Sequence, residues 1–281
     1  MSRLFSIKGN SQKLDGGAMF GHVPKAMWSQ WMVPDEQNRI SLACRALLIQ
    51  EENKNVLLEA GIGAFFNPVL RERYGIEEQE HVLLNSLQEK GLSENDIDFV
   101  ILSHLHFDHA GGLLSAWQEG ELLRLLFPKA QYIVSKIGWE RACHPHVRDR
   151  ASFIPELNEL LSQSGRLVVV EKETCALLGD DYQFLLTHGH TPGLMHTVYS
   201  KAEEGSVVFA SDLIPGTPWV HLPVGMGYDR APELLIDEKK VMLERVMRQE
   251  ERLFYTHDPK VAMSRVRSEK GRFVVVDAAS D

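Results

Sequence analysis

The run Ser103-His-Leu-His-Phe-Asp-His-Ala-Gly-Gly112 holds four strong metal ligands, His104, His106, Asp108 and His109, within six positions. Imidazole and carboxylate suit zinc, manganese, cobalt or iron, and ligands packed this tightly point to more than one ion. A structural zinc site of this length would use cysteine, and none lies nearby. The apolar stretch 98–103 precedes the ligands, so they stand where a strand ends, the place where α/β proteins put their chemistry. A stray His-X-His on a surface binds metal weakly; four ligands behind a buried strand make that reading a minor one.

Three further polar residues share this placement. His190 lies in His188-Gly-His-Thr-Pro-Gly193, directly after an expected strand at 183–187, and the glycines and proline impose a tight turn that aims a histidine inward. Asp212 follows an apolar run at 207–210, and His257 follows another at 253–256. A lone histidine at such a position is more often structural, but four such strand ends in one chain outweigh that.

The elements that must carry these residues read as follows. Short strands are expected at 4–8 and 12–20, then a hairpin of 41–50 and 56–60 around a polar turn. A helix is expected over 77–90, with Gly91 as its stop, and Ser93 caps a turn into the strand before the ligand cluster. Ala110 should open a helical stretch. A strand at 131–135 and helices around 136–143 and 153–163 follow. The chain then turns strand-rich at 167–171, 183–187, 195–200 and 207–210. A long helix over 231–252 and strands at 253–256 and 272–276 close it. Two mixed β-sheets packed face to face, with helices on the outer faces, fit this order: an α/β protein of the αββα sandwich type, one domain over 1–281. Segment 21–39, with Trp28 and Trp31, is too apolar for an ordinary exposed loop and is expected as a lid, a dimerisation segment or local core filler.

Composition excludes several classes of partner. The net charge of −9 comes without a basic block, which argues against nucleic acid and anionic membrane. Cys44, Cys143 and Cys175 are odd in number and widely spaced, as reduced thiols in the cytoplasm would be. No apolar h-region opens the chain and no apolar run reaches the length of a membrane span, so a cytoplasmic chain without a membrane partner is expected.

The motifs together resemble the metallo-β-lactamase superfamily of hydrolases, whose signature is HxHxDH followed by a distal His, Asp and His. The resemblance covers roughly residues 15–260. It implies that His104, His106 and His190 bind one metal, that Asp108, His109 and His257 bind a second, and that Asp212 bridges both. Two divalent ions are implied, zinc foremost, with manganese, cobalt or iron as alternatives. Asp15-Gly-Gly-Ala-Met-Phe-Gly21 and Ser211-Asp-Leu-Ile-Pro215 are most similar to the branch of quorum-quenching lactonases and methyl parathion hydrolases. The chain departs from the family pattern at three places. Glu59-Ala-Gly61 stands where Asp-Thr-Gly is common. Leu194 follows the GHTPG turn where a second histidine is common, with His196 two residues later. No tyrosine occurs in Leu213–Thr217, although Tyr228 could reach in from the next loop.

What the resemblance implies chemically is the opening of lactone rings, N-acyl homoserine lactones above all, by attack of a metal-bridging hydroxide. Asp108 would orient that hydroxide and carry its proton to the leaving alkoxide. Phe20, Phe107, Trp219 and Tyr228 flank the ligand motifs and are expected to wall an apolar pocket for an acyl lactone or ester, each of them equally readable as core. Lys25 and Arg230 are isolated, so no basic cluster is expected there. The alternative within the same chemistry is an aryl ester or organophosphate triester hydrolase. A thioesterase or a non-catalytic metal-binding protein fits less well. A homodimer is expected from segment 21–39.

Overall fold

Strand residues alternate between two apolar surroundings, and that alternation builds the molecule in layers. The computed structural model describes residues 2–280, so the two terminal residues of the expected 1–281 domain lie outside it. The first sheet contains β1 (Arg3–Ile7), β4 (Ala46–Gln50), β5 (Asn55–Leu58), β6 (Phe99–Ile101), β7 (Gln131–Ser135) and β8 (Leu167–Val170), hydrogen-bonded in that order. It is antiparallel from β1 to β5 and parallel from β5 to β8. The short pair β2 (Gln12–Asp15) and β3 (Arg39–Leu42) stands apart from it. The second sheet runs β14 (Arg272–Ala279), β13 (Met263–Glu269), β12 (Arg252–Phe254), β11 (Val207–Phe209), β10 (Leu194–Tyr199) and β9 (Tyr182–Thr187), with only β11 and β12 parallel.

Between the sheets lie Leu47, Ile49, Ile101 and Ile133 from the first and Phe184, Met195, Phe209 and Phe254 from the second. Their neighbours along each strand, Leu48, Val100, Tyr132 and Val134, face outward and meet Leu83 and Leu87 of α4 (Val82–Glu89) and Leu157 and Leu161 of α7 (Pro155–Gln163). Leu194, Val198, Val208 and Leu253 do the same on the other side, under Leu235, Met242 and Val246 of α8 (Pro232–Arg248). Fully burying one such side chain stabilises by about 1.5–3 kcal/mol, so a strand apolar on both faces is held firmly in register. This is the mixed-sheet αββα sandwich expected from the element order.

Several expected boundaries shift for identifiable reasons. Strand 12–20 ends at Asp15, whose carboxylate accepts from Ala18 N (2.8 Å) and caps α1 (Gly16–Phe20). Strand 41–50 breaks after Leu42, and the Ala43 and Arg45 amides donate to the carbonyls of His257 and Thr256 instead, stitching the first sheet to the loop after β12. The helix expected from residue 77 begins at Val82, because Glu78 is drawn off to accept from Ser11 N and Oγ (both 2.7 Å). Ala110 closes α5 (Phe107–Ala110) and stands as the N-cap of a 3₁₀ turn over Gly111–Leu113, so the helical stretch expected from it is a single short turn. Sequence patterning does not reveal α3 (Pro68–Arg73), nor β13, where exposed Arg and Glu mask the alternation. The remaining helices are α2 (Lys25–Trp28) and α6 (Lys136–Cys143).

Candidate metal centre

All seven candidate ligands converge at one edge of the sandwich, each just past a strand. The polypeptide leaves β6 into His104 and His106, and His106 is the residue before the single turn of α5, which turns Asp108 and His109 to the same place. His190 follows β9, Asp212 follows β11 and His257 follows β12. A tight backbone is needed there: Ser211 sits at φ +44°, and Gly112 lies so close to Ala60 O that an added Cβ would stand 2.0 Å from it.

The groups divide around Asp212. Its Oδ2 lies 3.1 Å from His190 Nε2 and 3.9 Å from His104 Nε2, and His106 Nδ1 lies 3.0 Å from His104 Nε2 and 3.3 Å from His190 Nε2. Its Oδ1 lies 3.3 Å from His109 Nε2 and 3.2 Å from His257 Nε2, and those two nitrogens are 3.2 Å apart. Asp108 completes this second group, 3.7 Å from His109 Nε2 and 3.6 Å from His257 Nε2. Two nitrogens bound to one tetrahedral zinc at ~2.05 Å stand about 3.3 Å apart, so these spacings match the edges of a coordination polyhedron. Asp212 Oδ1 is buried without a hydrogen-bond partner, as a carboxylate oxygen reserved for a cation would be. The donor set therefore fits two ions sharing Asp212: His104, His106 and His190 could hold one, and Asp108, His109 and His257 the other.

The far nitrogens of four of these rings are held in turn. His109 Nδ1 lies 2.8 Å from Glu59 Oε2, His190 Nδ1 2.9 Å from Asp229 Oδ1, His257 Nδ1 2.7 Å from Ala43 O, and His104 Nδ1 2.8 Å from Ser103 Oγ. Such partners fix tautomer and ring orientation. Glu59 is fully buried, adopts φ +64°, and also accepts from Ser103 Oγ and from Ser211 Oγ (2.9 Å). It supports the ligands from behind, across both sheets. Gln12 Nε2 donates to Asp108 Oδ2 (2.9 Å). Neither Gln12 nor Asp229 was expected from sequence; Asp229 adjoins Tyr228, but nothing in the sequence ties either residue to a histidine or aspartate elsewhere. His196 is buried on β10 with Nε2 against Thr187 Oγ1 (2.8 Å), apart from the groups that could hold a metal.

Burial and mutual charge set the protonation of the cluster. Burial pushes His106 down to about 3 and His104 well below its usual value, leaving neutral rings of the kind that bind metals. Burial also works against charge on His109 and His257, but Asp212 and its neighbours override it and hold both well above the usual range. Burial disfavours ionised Asp212, yet His109, His190 and His257 hold it well below the usual carboxylate range. The centre is thus built around buried anions that require positive charge.

A cavity of about 330 Å³ opens over the ligands. Leu14, Met19, Phe107 and Met226 give it apolar surface, and Arg73, Tyr74, Asp149, Ser152 and Tyr228 supply polar groups. Of the four aromatics expected there, Phe107 and Tyr228 line it. Phe20 and Trp219 do not: they stack at 4.6 Å and 6°, fully buried, and Trp219 Nε1 donates to Met19 O (3.1 Å) so that Met19 forms the wall instead. Burial and then Asp108 push the Tyr228 phenol up to about 12, so it stays a donor at neutral pH. Arg73 and Arg148 also border the cavity, a basic contribution that the sequence, with residues 73 and 148 far apart, did not suggest. None of residues 21–39 lines it; Trp28 stacks on Phe20 at 5.5 Å in the core beneath.

A two-sheet sandwich with histidines and aspartates gathered at one edge of paired strand ends defines a class of metal-dependent proteins. Residues 41–257 match the Metallo-beta-lactamase superfamily, an interval that contains every candidate ligand, and the chain belongs to that family. It is 28% identical over 181 residues to an N-acyl homoserine lactonase of Bacillus thuringiensis, covering 64% of this chain and 63% of that protein's length. The fold superposes on a probable metal-dependent hydrolase from Staphylococcus aureus with a TM-score of 0.86 and 26% identity, over 99% of this chain and 98% of that one. It also superposes, with a TM-score of 0.75 and 22% identity over 100% and 95% of the two chains, on a dizinc quorum-quenching lactonase solved with a product.

Proposed function

We propose that this protein is a dinuclear metal-dependent hydrolase that opens lactone rings, N-acyl homoserine lactones in particular. The observation that carries this reading is the division of four histidines, His104 and His190 against His109 and His257, between the two oxygens of Asp212 beneath a partly apolar cavity. Two divalent ions, zinc foremost, would lower the pKa of a water and polarise the substrate carbonyl. Asp108 borders both the ligands and the cavity, with Gln12 steadying Oδ2, and is placed to take a proton from the attacking water and return it to the leaving alkoxide. The Tyr228 phenol can donate to substrate oxygen, and Leu14, Met19, Phe107 and Met226 offer apolar surface to an acyl chain. Seven protein ligands for two ions leave coordination positions open for substrate, as catalytic sites require.

The test is a panel of short- and long-chain N-acyl homoserine lactones, aryl phosphotriesters and thioesters offered to metal-replete protein. Lactone opening should dominate and fall to background after chelation or with His109→Ala. Replete protein inert toward every lactone would overturn the reading. We also propose a cytoplasmic homodimer joined through segment 21–39, where Met27 is 52% and Val33 85% exposed. A clean monomer in light scattering would reject the dimer. Among the described residues, no helix is long and apolar enough to cross a membrane.

A further inference from the structure

The ribbon of β2 and β3 belongs to neither large sheet, yet two of its groups reach the metal centre, and both reach the same half of it. Gln12 opens β2 and is fully buried, and its Nε2 donates to Asp108 Oδ2 (2.9 Å). Leu42 pairs with it across the ribbon, and the carbonyl of the next residue, Ala43, accepts from His257 Nδ1 (2.7 Å). Asp108 and His257 stand with His109 as one group of candidate ligands. The other group is held from elsewhere, His190 by Asp229 and His104 by Ser103. As a purely structural group the Gln12 amide is a poor choice. An ionised carboxylate accepts only, so the amide nitrogen must face Asp108, and Oε1 is left buried with no hydrogen-bond partner among the described residues. A buried acceptor without a partner destabilises the fold, whereas an apolar side chain of similar length would fill the space without that penalty. What Gln12 contributes therefore lies at Asp108, whose two oxygens stand 3.7 Å from His109 Nε2 and 3.6 Å from His257 Nε2.

We propose that Gln12 is a positioning residue for one ion alone, the one that Asp108, His109 and His257 could hold. Its N–H fixes the rotation of the Asp108 carboxylate, so that both oxygens keep their places beside the two histidines. Losing such a partner weakens metal affinity about 10- to 100-fold. An ion at His104, His106 and His190 has supports of its own and should not respond. This rests on the two-ion part of the hydrolase reading and on no particular substrate. It goes further by assigning the detached ribbon to the second ion. It also fixes a sign: an apolar side chain in place of Gln12 should leave the metal-free protein at least as stable, while the second ion binds more weakly.

The experiment titrates zinc into metal-free protein in competition with a chromophoric chelator, which should resolve two binding steps in the wild type. Gln12→Met, close in volume but without the N–H, should weaken one step roughly 10- to 100-fold and leave the other within about twofold. Asp229→Ala, acting through His190, should weaken the step that Gln12→Met spares, and the double variant should show both losses added. Gln12→Asn, a methylene too short to reach Asp108, should repeat the selective loss. In calorimetry, metal-free Gln12→Met should unfold at or above the wild-type Tm. Equal weakening of both steps by Gln12→Met overturns the proposal, as does loss of the same step in Gln12→Met and Asp229→Ala. A metal-free Gln12→Met that unfolds well below the wild type, or never folds, also overturns it, because a role confined to an ion cannot be needed in that ion's absence. Wild type that takes up a single ion overturns both this inference and the dinuclear reading. Two steps with the selective loss, in a protein that opens no lactone, overturn the lactonase reading and uphold this one.

Discussion

At the scale of single residues, the centre depends on the groups behind the ligands as much as on the ligands. Asp229 holds His190 Nδ1 (2.9 Å) while Nε2 faces Asp212, and Asp229 is itself steadied by the Met226 amide (2.6 Å). Asp229→Ala should therefore weaken metal binding 10- to 100-fold, the usual cost of losing a ligand's supporting partner, with the fold retained. Competition with a chromophoric chelator would measure it. Unchanged affinity would mean that the loop alone positions His190. Part of this was legible beforehand: the strand-end histidines and aspartates announce themselves by type and spacing. Gln12, Asp229 and the Ala43 carbonyl do not, because a hydrogen bond between residues tens or hundreds of positions apart leaves no local pattern. Phe20 and Trp219 show the converse, since adjacency to a motif placed them near the site while stacking buried them under it.

At the scale of elements, α8 is the clamp for two site loops. Glu238 accepts from the His188 and Gly189 amides (2.8 and 2.9 Å), fixing the turn that carries His190. The next residue, Lys239, is fully buried and donates to the carbonyls of Trp219 (3.1 Å), His221 (3.4 Å) and Val224, gathering the loop that leads to Met226 and Tyr228. Lys239→Met keeps the stem but strands three carbonyls, so a loss of about 3 kcal/mol is expected in denaturant unfolding. KM should rise more than kcat falls, because the cavity wall loosens while Asp108 is untouched. A periodicity reading assigned the helix correctly in kind and place, yet it gave Lys239 no role, since a lysine within a helix ordinarily points to water.

At the scale of the whole molecule, the candidate metal centre spans the two sheets. His104, His106, Asp108 and His109 follow β6 of the first sheet, whereas His190, Asp212 and His257 follow strands of the second. Ions held across that seam would stabilise the folded state by mass action, about 4 kcal/mol at a thousandfold excess over Kd. Chelation should lower Tm by roughly 10 °C in calorimetry, and excess zinc should restore it. An unmoved Tm would mean that the sandwich core alone carries the stability and that the ions are only guests.

Apolar alternation and strand-end placement are local patterns of two to four residues, so the layered architecture and the seven candidate ligands are legible in the amino-acid sequence. The tertiary structure alone decided which oxygen of Asp212 serves which histidines, what holds each ring, and which aromatics reach the cavity. Those are relations between segments brought together only when both sheets close on their shared apolar layer, and packing, not spacing, sets them.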